Sequence, residues 1–269
     1  MTDWADFAGK TAIVTGAGDG IGEMLAKQLA GVGMQVGVLD IRPDAAARVA
    51  GEIGPDAFVL CADVSDRDAM LAAASTVRGR GNGVSFLWIN AGAGVGANLI
   101  DTRPSVIEWA FGVNVLGTIW TAQAFVPLMK ETMGARHLGF TASTASLRDP
   151  DMPLTVYGVT KQGAFAVAEG LRNEVAEMGI ATTILCPGLL NTDIWDGARA
   201  RPERFGGERR ADPEIAARWR AAKSPEVMWP HIQRVVADGG GYLVCNTEGG
   251  MLGTFKERSQ RIGEAFVDV

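Results

Sequence analysis

The chain has 269 residues, 47% of them hydrophobic and 21% charged, with a net charge of −6 and a mean hydropathy of +0.11. That length and hydrophobic content suffice for a full core and exclude a disordered chain. The mildly acidic balance, with no block of like charges, argues against nucleic acid or an anionic membrane as partner, and no apolar run reads as long enough to span a bilayer.

Apolar runs at residues 10–15, 35–40, 57–63, 85–90, 138–143, 181–186 and 242–245 read as strands. They are nearly continuous in apolar character, as strands covered on both faces should be. Helical patterns fill the gaps at 20–32, 43–53, 66–80, 104–133, 155–178 and 225–237. This alternation predicts an α/β fold: one doubly wound domain over residues 1–269, its seven-stranded parallel sheet flanked by helices on both faces. An insertion at 192–223 and a C-terminal extension at 245–269, helix-like over 255–266, are the irregular parts.

The first strand runs into Thr15-Gly16-Ala17-Gly18-Asp19-Gly20-Ile21-Gly22 at the mouth of a helix. Glycines there allow a tight turn and close approach to a pyrophosphate, which sits on the positive end of the helix. Asp40 closes the second strand, where a carboxylate accepts from an adenosine ribose; capping the helix near Pro43 is its alternative role. A 2′-phosphate would be repelled by Asp40 and Asp19, which favours NAD, although Arg42 could welcome one. Asp63-Val64 and Asn90-Ala91-Gly92 end the third and fourth strands, where ligands of open α/β sheets bind; loop capping is the other possibility. Asn114, flanked by valines inside a helix, suggests an internal polar contact.

Tyr157 and Lys161 stand four apart at a helix start, so one turn places phenol and ammonium on one face. A fixed cation favours the phenolate and draws its pKa toward the working range. Such a pair can also arise by chance. Ser143, at the end of the fifth strand, offers a hydroxyl to an oxygen whose charge changes; Thr144 and Ser146 are rivals for that role. Pro187-Gly188-Leu189-Leu190-Asn191-Thr192 then turns into residues 193–223, where eight basic and six acidic residues leave a net of +2. That balance reads as a solvated surface, and the stretch itself as a lid over a pocket. Residues 94–99 and 146–154 and the lid would form the pocket walls, with Leu147, Met152, Leu154 and Trp195 suggesting an apolar, aromatic character.

The acidic start, Met1 to Asp6, lacks the basic region of a secretory signal, so a cytoplasmic protein is expected. Cys61, Cys186 and Cys245 are odd in number, fall in apolar runs and form no C-x-x-C, so they read as buried free thiols. His137 and His231 have no partner at metal-ligand spacing, and no metal is expected.

Taken together, Thr15-Gly16-x-x-x-Gly20-x-Gly22, Asp63, Asn90-Ala91-Gly92, Asn114, Ser143, Tyr157-x-x-x-Lys161 and Pro187-Gly188 resemble the short-chain dehydrogenase/reductase family in its compact branch, over residues 10–244. The resemblance implies a Rossmann-type fold and hydride transfer with NAD. It implies that Tyr157 moves the substrate proton and that Ser143 holds the oxygen. Lys161 would tune the phenol and bind the nicotinamide ribose, and Asn114 would anchor a water. Leu190 and Thr192 match positions at the carboxamide, and Ile21 and Val64 positions flanking the dinucleotide. Ile89 departs from the usual Asn-Asn-Ala-Gly, and the long C-terminus is a hint of a bulky secondary alcohol or ketone as substrate. A homodimer or homotetramer paired through the helices at 104–133 and 155–178 is also implied; Val167, Leu171, Val175 and Met178 repeat there at helical spacing. The competing functions are an NADP-dependent ketoacyl reductase and a non-catalytic dinucleotide sensor. An epimerase or dehydratase lacks support, since its glycine spacing and larger C-terminal domain are not found.

Overall fold

The computed structural model describes residues 2–81, 83–245 and 250–266. In chain order the elements are β1 (Thr11–Thr15), α1 (Gly20–Gly31), β2 (Gln35–Asp40), α2 (Pro43–Ile53), β3 (Ala57–Cys61), α3 (Arg67–Gly79) and β4 (Phe86–Ile89). Then follow α4 (Pro104–Phe111), α5 (Gly117–Glu131), β5 (His137–Thr141), α6 (Thr155–Ala176), β6 (Ala181–Pro187), α7 (Pro213–Arg220), α8 (Trp229–Ala237), β7 (Gly240–Cys245) and α9 (Met251–Gly263). The strands form one seven-stranded sheet in the order β3-β2-β1-β4-β5-β6-β7, and every pairing is parallel.

Burial explains why the strand sequences are apolar throughout. All five residues of β1 and all four of β4 are buried, so neither face is left for polar side chains. One face carries Ile13, Leu39, Leu87, Leu138 and Ile184 against side chains of α3, α5 and α6 such as Met70, Val77, Phe125 and Val175. The other carries Val14, Val36, Val38, Phe86 and Trp88 against α1, α2 and α8, through Leu25, Leu29, Val49 and Ile232. Each large side chain so buried contributes about 1.5–3 kcal/mol. Local signals set the helix starts: Pro43 opens α2, and the Asp66 carboxylate accepts from the amides of Asp68 and Ala69 to cap α3.

The chain travels from β1 out to β3 and then crosses back to β4, which pairs with the other side of β1. That reversal opens a crevice at the carboxyl ends of β1 and β4, and it places the loops after these strands around it.

Three expectations change. The helix expected over 104–133 is α4 and α5 joined by a π-helical turn, Gly112–Leu116, which contains Asn114. Within this 28-residue run an 18-residue window has a mean hydropathy of 1.2, so the run is, by length and composition, apolar enough to cross a bilayer, contrary to the sequence expectation; half of that window is buried inside the fold. Of the three free thiols, Cys186 is buried, but Cys61 is exposed and Cys245 partly so. Cys61 ends β3, the outer strand of the sheet, where apolar neighbours in sequence do not guarantee cover. His137 is buried and bonded to Thr183 at 2.9 Å, and His231 is exposed. The stripe on α6 is largely core: Val175 is buried, and Leu171 and Met178 pack against the same cluster.

Candidate functional site

A cavity of about 610 Å³ occupies the crevice. Gly16, Asp19, Ile21, Asp40, Asp63, Val64, Asn90, Ala91, Gly92, Ser143, Tyr157, Lys161, Pro187, Gly188, Leu190 and Thr192 all line it. Of the residues selected for catalysis or cofactor binding, Gly20, Gly22 and Asn114 do not line it.

Two glycines of the turn show why a dinucleotide fits. Gly16 has φ +62°, and a Cβ there would lie 2.8 Å from the Ala91 Cα. A Cβ on Gly22 would overlap the carbonyl oxygen of Gly16 and sit 2.7 Å from the Asn90 Nδ2. Bare backbone thus lets α1 start directly beneath the β4 loop, and a helix N-terminus at a cavity edge suits a phosphate. Asp19 precedes α1, and its side chain makes no capping bond. Asp40 lies across the turn, its Oδ2 accepting from the Gly18 amide and its Oδ1 from the Arg42 amide, both at 2.9 Å. Each carboxylate oxygen keeps acceptor capacity for a ribose hydroxyl. These residues fit an adenine dinucleotide.

Asn90 braces the floor. Its amide and that of Ala91 donate to the Thr15 hydroxyl at 2.9 and 3.1 Å, and its side chain donates to the Thr15 carbonyl at 3.1 Å. Asn114 braces the next stretch: its Oδ1 accepts from the Ala93 amide at 2.8 Å, and its Nδ2 donates to the Ala93 carbonyl and the Thr160 hydroxyl. The extra residue of the π turn aims this buried amide at the β4 loop while α5 continues. Its backbone carbonyl accepts from Thr118.

On the opposite wall, Ser143 follows β5, and Tyr157 and Lys161 sit on the first turns of α6. The Lys161 ammonium donates to the Thr141 carbonyl at 3.1 Å and lies 6.0 Å from the centre of the Tyr157 ring. Burial pushes Lys161 down to about 8, and burial raises the Tyr157 phenol above its ordinary value while a hydrogen bond with Ser143 draws it back. Desolvation therefore dominates the phenol here, where the sequence suggested a net fall. Of the rival hydroxyls, Ser146 is turned away, donating to the Lys161 carbonyl at 2.8 Å, whereas Ser143 lines the cavity and lowers the pKa of the phenol. Cys186 lies near Lys161, and burial drives its thiol up to about 12, so it stays neutral.

The remaining wall differs from expectation. Leu154 lines the cavity, but Leu147, Met152 and Trp195 do not. Met152 is largely exposed, Leu147 packs on the core, and Trp195 lies under Arg220. Trp109, Val113, Ile194 and Trp219 provide the apolar wall instead. Trp109 sits in the last turn of α4, a position its helical periodicity could have signalled; Trp219 belongs to α7, a helix not foreseen within 193–223.

The order of elements, the glycine turn and the Ser143–Tyr157–Lys161 wall coincide with a known pattern. The profile of the family described as short chain dehydrogenase matches residues 10–203. The chain belongs to the short-chain dehydrogenases. Members of this family are nicotinamide-dependent oxidoreductases, and the similar proteins include named dehydrogenases. Estradiol 17-beta-dehydrogenase 11 of Mus musculus is 33% identical over 192 residues, 69% of this chain and 63% of that protein. Epidermal retinol dehydrogenase 2 of Homo sapiens is 32% identical over 199 residues, 71% of this chain and 63% of that protein. The match therefore spans under two thirds of these relatives' own length. A crystal structure of a short-chain dehydrogenase/reductase from Burkholderia phymatum in complex with NAD is 27% identical with a TM-score of 0.88, covering 98% of each chain. The fold of this short-chain dehydrogenase is thus shared from end to end with a protein that binds NAD.

Proposed function

We propose that this short-chain dehydrogenase transfers a hydride between NAD and a secondary alcohol or ketone, with Tyr157 as general acid and base. The observation that carries this reading is the meeting in one cavity of Ser143, Tyr157 and Lys161 with the glycine turn and Asp40. Bound nicotinamide supplies the two-electron acceptor. The chain does the rest. Tyr157 takes the hydroxyl proton as the carbon–hydrogen bond breaks, and returns it in the reverse direction. Ser143 donates to the substrate oxygen as its charge changes. Lys161, charged below about 8, opposes the negative charge that forms on the phenol and holds the nicotinamide ribose. Asn114 keeps the β4 loop and α6 in register, a positioning role for which its bonds to Ala93 and Thr160 speak. In the family's mechanism the same residue anchors a water that links the lysine to solvent.

Preference for NAD over NADP rests on Asp40 beside the adenosine ribose and on Arg42. That arginine is bound to Asp19 at 2.5 Å and lies 3.5 Å from Asp40, so it is not free to receive a 2′-phosphate. The apolar wall of Trp109, Val113, Ile194 and Trp219 suits a bulky or aromatic substrate. A reducing cytoplasm and a two-fold dimer or tetramer through α5 and α6 complete the reading; light scattering that finds a monomer at micromolar concentration would remove the assembly. The central test is Tyr157→Phe, assayed by the absorbance of reduced cofactor on a panel of secondary alcohols. Turnover should fall by about 10²–10⁴ while NADH binding persists. Unchanged turnover, or tighter binding of NADPH than NADH, would count against the respective assignment.

A further inference from the structure

The chemistry above leaves the lid arginines unused. The sequence balance suggested a solvated surface, but Arg199 is only 10% exposed. Its guanidinium reaches Asp19, on the glycine turn 180 residues away, at 2.7 Å, and Asp193 at 3.1 Å. A few residues on, Arg204 binds Asp63 at 2.6 Å and the Ser65 hydroxyl at 2.9 Å. The strap between them is braced internally. Asp196, itself buried, accepts from the Ala211 amide at 2.9 Å and pairs with Arg210 at 3.0 Å and Arg199 at 3.6 Å.

The placement of the two anchors is informative. Asp19 and Asp63 both line the cavity, and both stand on its dinucleotide side, at the ends of β1 and β3. A lid serving the substrate end alone has no need of ion pairs there. Asp19 also shows the balance at work: burial pushes its carboxyl up, and Arg42 and Arg199 pull it back. Two cations converge on this partly buried carboxylate, where less water screens them than at an open surface. We infer that Arg199 and Arg204 are cofactor-retaining residues, clasping the lid to Asp19 and Asp63 across the dinucleotide half of the cavity. The inference rests on the dinucleotide reading of the site. Release of bound cofactor then requires both clasps to open, and salt, which screens them, hastens it.

The test is NADH release followed by stopped-flow fluorescence, with affinity from calorimetry. Arg199→Ala should speed release about tenfold and the more exposed Arg204→Ala about threefold, the losses of roughly one buried and one surface ion pair. Release from the wild type should accelerate between about 0.05 and 0.5 M salt, and release from the double variant should be nearly flat over that range. Lysine replacements should fall between, keeping the charge and losing the forked geometry. Arg204 is 47% exposed, so its variant keeps the fold and serves as the test if Arg199→Ala does not. If the wild type binds NADH and the variants release it at the wild-type rate with the same salt response, the clasp is overturned and the dinucleotide reading stands. A wild type that binds neither NADH nor NADPH overturns both.

Discussion

The glycine turn and the lid face each other across one cavity, and different forces hold them. On the turn side, β1, β4 and α1 meet as buried backbone: Gly22 abuts the Gly16 carbonyl, and Asn90 joins the ends of β1 and β4. Nothing there can shift without opening the sheet. On the lid side, short helical turns at Asp193–Ala200 and Glu203–Phe205 lead to α7, and charged contacts dominate. Close-packed backbone fixes geometry with little regard to solvent, whereas ion pairs weaken with salt and pH. The cavity thus has a rigid wall for the cofactor and a responsive wall above it. The comparison predicts that substitutions on the first wall cost stability, and that those on the second alter binding while the fold persists.

The largest effect should come from Gly22→Ala. A methyl group there meets backbone, so α1 must move away from the β4 loop. A loss of at least ~3 kcal/mol is expected, seen as a lower melting temperature by circular dichroism and loss of NADH binding. Retained stability with retained binding would show that this wall is more compliant than the packing indicates. Asn114→Ala should follow, at about 2–4 kcal/mol, because it orphans the buried amide and carbonyl of Ala93 and one partner of Thr160. Urea unfolding measures it. A cost below ~1 kcal/mol would mean that water replaces the amide.

The rigid wall was legible in the sequence; of the responsive one, the lid was read but its contacts were not. Glycines at fixed spacing, strand ends at Asp40 and Asp63, and a tyrosine and a lysine one turn apart are local signals, and the backbone carries them to the site with little freedom. The contacts of Arg199 and Arg204 join residues 180 and 141 positions apart, and no local pattern distinguishes them from their neighbours Arg209 and Arg210. Trp195 and Trp219 illustrate the same limit: a loop gives no periodicity from which to aim a ring, so the ring on the cavity was not the one expected. The π turn at Asn114 was half visible, as an amide among valines. The fall expected for Tyr157 failed for a different reason, since spacing shows the neighbouring cation and hides the burial.

Acid should weaken the core beneath the rigid wall before it opens the lid. His137 is buried in β5, and burial pushes its imidazole down to about 3 from an ordinary 6.5. The unfolded chain therefore binds a proton that the folded one refuses between those values. Stability from this group is complete above about 6.5 and drains as pH falls toward 3. The slope is about 1.4 kcal/mol per pH unit at most, or roughly 2 kcal/mol by pH 5. Melting temperatures of His137→Gln and wild type, compared from neutral pH to pH 4.5, should converge as the wild type loses this share. Parallel profiles would mean that His137 is protonated in the fold.

The smallest effect on stability and the clearest effect on recognition should come together in Trp219→Ala. The ring lines the cavity from α7 and is partly exposed, so its removal leaves the two core clusters intact and should shift the melting temperature by less than ~2 °C. If bulky secondary alcohols lie against it, they lose apolar contact that small ones never made. The KM for an aromatic alcohol should rise about tenfold, with kcat changed little and a short aliphatic alcohol unaffected, the signature of binding lost equally from ground and transition states. Equal losses for large and small substrates would place Trp219 in closing the lid, and would move size selection to Trp109 and Val113 on the helix below.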